Sequence, residues 1–318
     1  FLERTTDEQK AERWSLFEGL EITSDPQLRP HFGRYPVLAL SFKDIKDPTW
    51  EGCLASTAAL LAELYQEHDS LRPLLNQAEA ANFVDIQMQR ASPSVLMRSL
   101  HALCRLLARR HGESVVVLLD EYDTPLHTAH QQGYYDEALS FYRTLLSAVL
   151  KDNVDLHKGV LTGVLRVAKD NIFTGLNNID TYSLLARDFA TAFGFTQDEV
   201  EVLLRKAGMT ERLPEVQRWY NGYLFGGQVI YNPWSVLSFV KNHPDEPEPY
   251  WANTSSNDLV RELLVEHGAA AREDWSALLR GETIERAQIA LRQVFVIGAD
   301  IRWIGYDQLE GFIGGQCV

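Results

Sequence analysis

Three cysteines in 318 residues, Cys53, Cys104 and Cys317, show no metal-ligand spacing. Cys53 and Cys104 lie in apolar, helical contexts and are expected as buried thiols, a usage that fits a reducing cytoplasm. Positive charge is scarce too. Thirty Lys and Arg against 44 Asp and Glu leave a net charge of −14. Neutralising nucleic-acid phosphates needs clustered Lys and Arg, so a general nucleic-acid surface is disfavoured, though a local basic pocket is not. No apolar run is long enough to span a bilayer, no secretory signal pattern opens the chain, and there are no internal repeats. Also missing is a Gly-x-x-x-x-Gly-Lys-Ser/Thr loop, whose backbone amides cradle phosphates.

What is present suits a large core: 45% apolar residues allow two domains or one elaborated α/β domain. The most informative stretch is 115–123, Val-Val-Val-Leu-Leu-Asp-Glu-Tyr-Asp. Its β-branched start reads as a parallel strand buried on both faces. Asp120 and Glu121 would then emerge at the carboxyl end of the strand, where open α/β sheets place ligands. This is the pattern of a Walker B strand, in which the Asp helps hold Mg²⁺ and the Glu orients the attacking water. A buried strand followed by an acidic turn or helix cap explains the same residues without chemistry.

Around this stretch the periodicity predicts strands and helices in alternation, as in a parallel α/β sheet. Residues 36–42 read as the first strand. Trp50–Gln66 reads as a helix with Leu54, Ala58, Leu61 and Tyr65 on one face, interrupted by a polar stretch at 69–73. Ser94–Arg110 reads as a second helix, with Leu96, Leu100, Leu103 and Leu107 aligned and an Arg-rich last turn. His127 and His130 are expected in a solvated loop, Tyr134–Lys151 as an amphipathic helix and Gly159–Leu165 as a strand carrying Thr162. Thr196-Gln197-Asp198-Glu199 is a capping box that opens a helix. From Trp219 to Trp234 the density of Trp, Tyr, Asn and Gly suggests tight turns and an aromatic surface. Phe1–Arg4 reads as the tail of a helix already under way, so the chain is expected to be a fragment.

Several segments are more specific together than alone. Leu118-Leu119-Asp120-Glu121-Tyr122-Asp123-Thr124-Pro125 is followed by Leu161-Thr162-Gly163-Val164-Leu165-Arg166 and Phe173-Thr174-Gly175-Leu176-Asn177-Asn178. Then come Trp219-Tyr220-Asn221-Gly222-Tyr223, Tyr231-Asn232-Pro233-Trp234-Ser235 and Trp251-Ala252-Asn253-Thr254-Ser255-Ser256-Asn257. In this order they resemble the predicted AAA-ATPase-like family of bacterial proteins, which often carry a PD-(D/E)XK nuclease-like domain at the C-terminus. The resemblance covers roughly residues 1–280.

The resemblance implies an α/β P-loop NTPase-like parallel sheet, here without its first strand and Walker A loop, over residues 1–190. A helical lid or winged-helix-like region would follow at 191–280, and a diverged tail at 281–318. It implies ATP and Mg²⁺ as cofactors of the intact protein and little hydrolysis by this chain alone. Asp120 would be the Mg²⁺-side carboxylate and Glu121 the catalytic one. Asp123 is either a supporting group or a turn-stabilising Asp. Thr162 is either a sensor of the γ-phosphate or a strand-end hydroxyl satisfying backbone. Arg166 could neutralise transition-state charge or pair with Asp170. Asn177 is a candidate from a loop near the nucleotide. The rival readings are a non-catalytic module that binds a protein or another subunit, and, more weakly, a metal-dependent nuclease using Asp120, Glu121 and Asp123.

Overall fold

A computed structural model describes residues 1–163, 180, 182 and 186–250. The chain divides into two compact units, Phe1–Ile179 and Asp180–Val318. The first is built on a parallel sheet in the order β1 (Val37–Ser41), β2 (Val115–Asp120), β3 (Leu156–Leu161). Before it lie helices α1 (Asp7–Ser15) and α2 (Glu21–Ser24). Between β1 and β2 run α3 (Trp50–Glu67), α4 (Gln77–Gln87), α5 (Pro93–Leu96) and α6 (Ser99–His111); between β2 and β3 run α7 (Thr124–Gln132) and α8 (Tyr135–Leu150). Each crossover moves to the next strand in the same direction, which keeps its helices on one side of the sheet.

That one-sidedness is written in the alternation of the strands. Leu38 and Leu40 of β1, with Val115, Val117 and Leu119 of β2, join a single buried cluster with Leu61, Tyr65, Leu103, Leu107, Phe141 and Leu145 of the helices. On the opposite face Ala39, Leu118 and Val160 are Cα partners in one row across the three strands. All three are exposed, Leu118 at 37% and Val160 at 46%. The expectation that residues 115–119 are buried on both faces therefore fails at Leu118, because the crossover helices return on the other side. It holds at Val116, which is 1% exposed.

The helices follow from local chemistry. The Thr49 hydroxyl accepts from Gly52 N to start α3, and Asn76 and Glu79 form a reciprocal capping box at the start of α4. The helix expected over 94–110 breaks into α5 and α6, and Gly112, at φ +67°, closes α6 and accepts the turn into β2. Thr124-Pro125 begins α7, since a proline fits the first turn of a helix, so His127 and His130 are helical and not in a loop. Phe1–Arg4 is extended, not helical. Glu3 forms a parallel bridge with Tyr35, and the rings of Phe1 and Phe32 pack on each other and on those of Trp14 and Phe17, at centroid distances of 5.0–6.2 Å. β3 also begins earlier than its hydropathy suggests, at Leu156, because pairing to β2 outweighs the polarity of His157 and Lys158.

In the second unit, Phe195 bridges Tyr231, and the chain proceeds through α9 (Gln197–Lys206), α10 (Leu213–Tyr220), the antiparallel hairpin β4 (Asn221–Phe225) and β5 (Gln228–Tyr231), and α11 (Pro233–Asn242). The Trp219–Trp234 stretch is thus regular structure. Gly226 and Gly227, at φ +53° and +88°, make the two-residue turn that joins the strands, a geometry few other residues adopt. The capping box at Thr196 forms as its spacing predicts, and Asn232 caps α11 through Ser235 N. Val200, Leu204, Val216, Tyr220, Tyr231, Val236 and Phe239 form this unit's own core.

Candidate functional site

Asp120 is the last residue of the central strand, and the register of the sheet decides its neighbours. β1 ends at Ser41, the Cα partner of Asp120, and Thr162 directly follows β3. Backbone bonds extend the ladder past the strand ends: Phe42 N donates to Asp120 O at 2.9 Å, Thr162 N to Leu119 O at 2.9 Å and Tyr122 N to Thr162 O at 3.2 Å. Two hydroxyls from the flanking strands are thereby fixed on either side of the carboxylate. Thr162 Oγ1 donates to Asp120 Oδ1, and Ser41 Oγ donates to Asp120 Oδ2 at 3.2 Å. Asp120 is itself exposed, so the group is tethered at the sheet edge and open to solvent.

Glu121 turns the chain out of the strand. Its φ of +50° is a left-handed conformation that non-glycine residues seldom occupy and that costs about 1–2 kcal/mol. Thr124 Oγ1 donates to Glu121 Oε2 at 3.1 Å, and Thr124 N to Glu121 O at 3.1 Å, which closes the turn and starts α7. Tyr122 packs on the core, and burial, with Asp123 beside it, pushes its phenol up to about 12. Asp123 is 4% exposed and lies directly behind Gly163: a β-carbon there would stand 2.6 Å from Asp123 Oδ1.

Asp120, Glu121, Asp123 and Thr162 therefore come together at one edge. Arg166 and Asn177 lie outside the described residues. Sequence reasoning missed Ser41. The signal was a Ser closing a short apolar run, and its meaning depends on knowing that this strand pairs with β2.

The donor set is hard oxygen, the two atoms of the Asp120 carboxylate, which the Ser41 and Thr162 hydroxyls hold from either side. Among the described residues no group of three or more His, Cys, Asp or Glu side chains could hold a metal ion unaided. That set does not suit zinc or a dedicated Ca²⁺ cage. It fits Mg²⁺, which keeps several waters and takes one or two carboxylates together with phosphate oxygens. Among the described residues no helix is long and apolar enough to cross a membrane.

Comparison with known proteins bears on the same residues. The family model described as "Predicted AAA-ATPase" matches residues 1–173, a span that holds Ser41, Asp120, Glu121, Asp123, Thr162 and Arg166. A protein of Azotobacter chroococcum mcd 1, described as "Uncharacterized protein in vnfD 5'region", is 32% identical over 181 residues. That alignment takes in 57% of this chain and 33% of the relative, so the chain spans about a third of the relative's length. No solved structure matches.

Proposed function

We propose, from the premise that this chain belongs to the predicted AAA-ATPase family, that it carries the carboxylate half of an ATP site. The observation that supports this most is Asp120 at the carboxyl end of the middle strand of a parallel sheet, with a hydroxyl from each neighbouring strand on its carboxylate. Ligands of open α/β sheets bind at that edge. Asp120 holds the metal side of the site, and Mg²⁺, when bound, offsets the charge of the phosphate oxygens. Glu121, one residue further and already turned out of the strand, orients and polarises the attacking water. Thr162 reads the γ-phosphate. Arg166 adds positive charge where negative charge develops, and Asn177 contacts the nucleotide.

The 318 residues contain no Gly-x-x-x-x-Gly-Lys-Ser/Thr loop. The backbone amides and lysine of such a loop supply most of the positioning and charge neutralisation of phosphoryl transfer. These residues by themselves therefore do not turn ATP over efficiently. The test is a turnover assay on the purified chain beside Glu121→Gln. Background rates for both are expected; turnover that disappears in Glu121→Gln would show a complete catalytic site and defeat this part of the reading.

The second unit is read as a winged-helix-like lid. Support comes from the order of Phe195, α9, α10, β4 and β5, with Phe195 pairing to the last strand. From Leu213 to Tyr231 the only charged residues are Glu215 and Arg218, which does not suit a nucleic-acid reader. Exposed Phe189, Phe193 and Trp234, each more than half exposed, favour a second reading for this unit, the binding of a protein partner. Titration calorimetry with Mg·ATP separates that from the nucleotide reading. Metal-dependent heat that is lost in Asp120→Asn supports the nucleotide site, and its absence at millimolar nucleotide leaves the interaction module.

A further inference from the structure

Asp120 is gripped from both sides, and the two grips differ in what they can be for. Thr162 has a candidate role toward phosphate; Ser41 has none. Its hydroxyl donates to Asp120 Oδ2 at 3.2 Å. Burial does not demand this bond, since Ser41 is only half-buried beside an exposed carboxylate and water could serve both groups. A carboxylate turns freely about its last torsion, where the energy wells are broad. Holding one oxygen from β1 and the other from β3 removes that freedom. Because Ser41 and Asp120 are register partners, with Phe42 N bonded to Asp120 O at 2.9 Å, the hydroxyl is anchored by backbone on its own strand. Each carboxylate oxygen has two acceptor sites, so one on each is left for a ligand beyond the strand ends.

We infer that Ser41 is a positioning residue of this site, fixing the plane of the Asp120 carboxylate toward a hydrated divalent cation. The inference rests on the reading of Asp120 as the metal-side residue. Ser41 does not touch the metal or the reacting atoms; it acts through Asp120, and a threonine would do the same.

The test is a titration of the 318-residue chain with Mn²⁺ alone, followed by paramagnetic broadening of the backbone amides of Phe42, Glu121 and Thr162. Reading individual amides separates this site from loose binding elsewhere on an acidic surface. Broadening is expected in the wild type and its loss in Asp120→Asn. In Ser41→Ala the midpoint is expected to rise by about tenfold, the scale of a lost hydrogen bond to a charged group, and to return in Ser41→Thr. A common thermal unfolding midpoint for Ser41→Ala and wild type shows that the fold is not what changed. Broadening lost in Asp120→Asn but with the same midpoint in Ser41→Ala overturns the role of Ser41 alone. No broadening in the wild type, or broadening that survives Asp120→Asn, removes the metal-side reading and this inference with it.

Discussion

Gly163 stands against the carboxylate of Asp123: a β-carbon at Gly163 would lie 2.6 Å from Oδ1 and 2.9 Å from Cγ of Asp123, and 2.9 Å from Cε1 of Tyr122. The absent side chain lets the chain leaving β3 pass behind the turn that carries Glu121. Asp123 is buried and Tyr122 is packed on the core, so neither has room to give way. Gly163→Ala should cost about 1–3 kcal/mol through overpacking. Urea unfolding measures it; a change below about 0.5 kcal/mol, the scale of ordinary surface substitutions, would contradict this packing.

Glu121 occupies a left-handed backbone position that a glycine would hold without strain. Its side chain returns one hydrogen bond, from the Thr124 hydroxyl. Glu121→Gly should therefore match or exceed wild-type stability, by up to about 1 kcal/mol, and Glu121→Gln should leave it unchanged. Stability alone would then give no reason for a glutamate side chain at this position. Chemical denaturation of the two variants decides this, and a loss beyond about 1 kcal/mol in Glu121→Gly would mean that the side chain is structural.

Acid should weaken the first unit through its histidines. Burial first, then neighbouring cations, holds His111 and His157 below the ordinary value of 6.5, with Arg4, Arg110 and His68 around the former and His31, Arg34 and Lys158 around the latter. Burial does the same to His68, against the pull of Glu67, and Glu113 opposes the shift at His157. His157 also stacks on Tyr35 at a centroid distance of 4.1 Å, and Tyr35 Oη lies 2.6 Å from His31 Nδ1. A lowered folded value means that the unfolded chain takes up the proton first. The stability is full above 6.5 and is lost as pH falls from there through the folded values. Glu79, Asp69 and Glu215 are lowered by cationic or amide hydrogen-bond partners, and their contribution is lost only below the carboxylate range. Urea midpoints between pH 7.5 and 5 should fall, with a shallower slope in His68→Gln and His157→Gln. An unchanged slope in both would refute the assignment.

Cys53 and Cys104 should resist thiol reagents while the protein is folded. Both are fully buried, and burial raises both thiols, that of Cys104 to about 12. Since the thiolate is the nucleophile, alkylation at neutral pH should be slow until denaturant is added. Peptide-resolved mass spectrometry follows each site; fast labelling of either in native buffer would contradict its burial.

The legible parts of the fold were those fixed by local pattern. Leu61, Tyr65, Leu100, Leu103 and Leu107 share buried faces as their spacing requires, and Thr196 and Asn232 cap helices as their residue types allow. Two missed features were legible by the same logic: Asn76-x-x-Glu79 repeats the capping-box pattern of Thr196, and Gly226-Gly227 is a two-residue hairpin signal. Others were not. The exposure of Leu118 depends on which side the crossover helices take, and Phe1–Arg4 is extended because Tyr35 is there to pair with it. Asp120 could be singled out from its strand, but Ser41 could not, since 79 residues separate them and only the parallel register makes them neighbours.

Asp120 is proposed to mark the metal side of a nucleotide site. Crystals grown with Mn²⁺ and ATP test it through the anomalous signal of manganese. A peak is expected beyond the ends of β1, β2 and β3, within about 4 Å of the Asp120 carboxylate directly or through one water, and is expected to be lost in Asp120→Asn. Manganese and nucleotide bound elsewhere, or a peak that survives that substitution, would remove that role from Asp120.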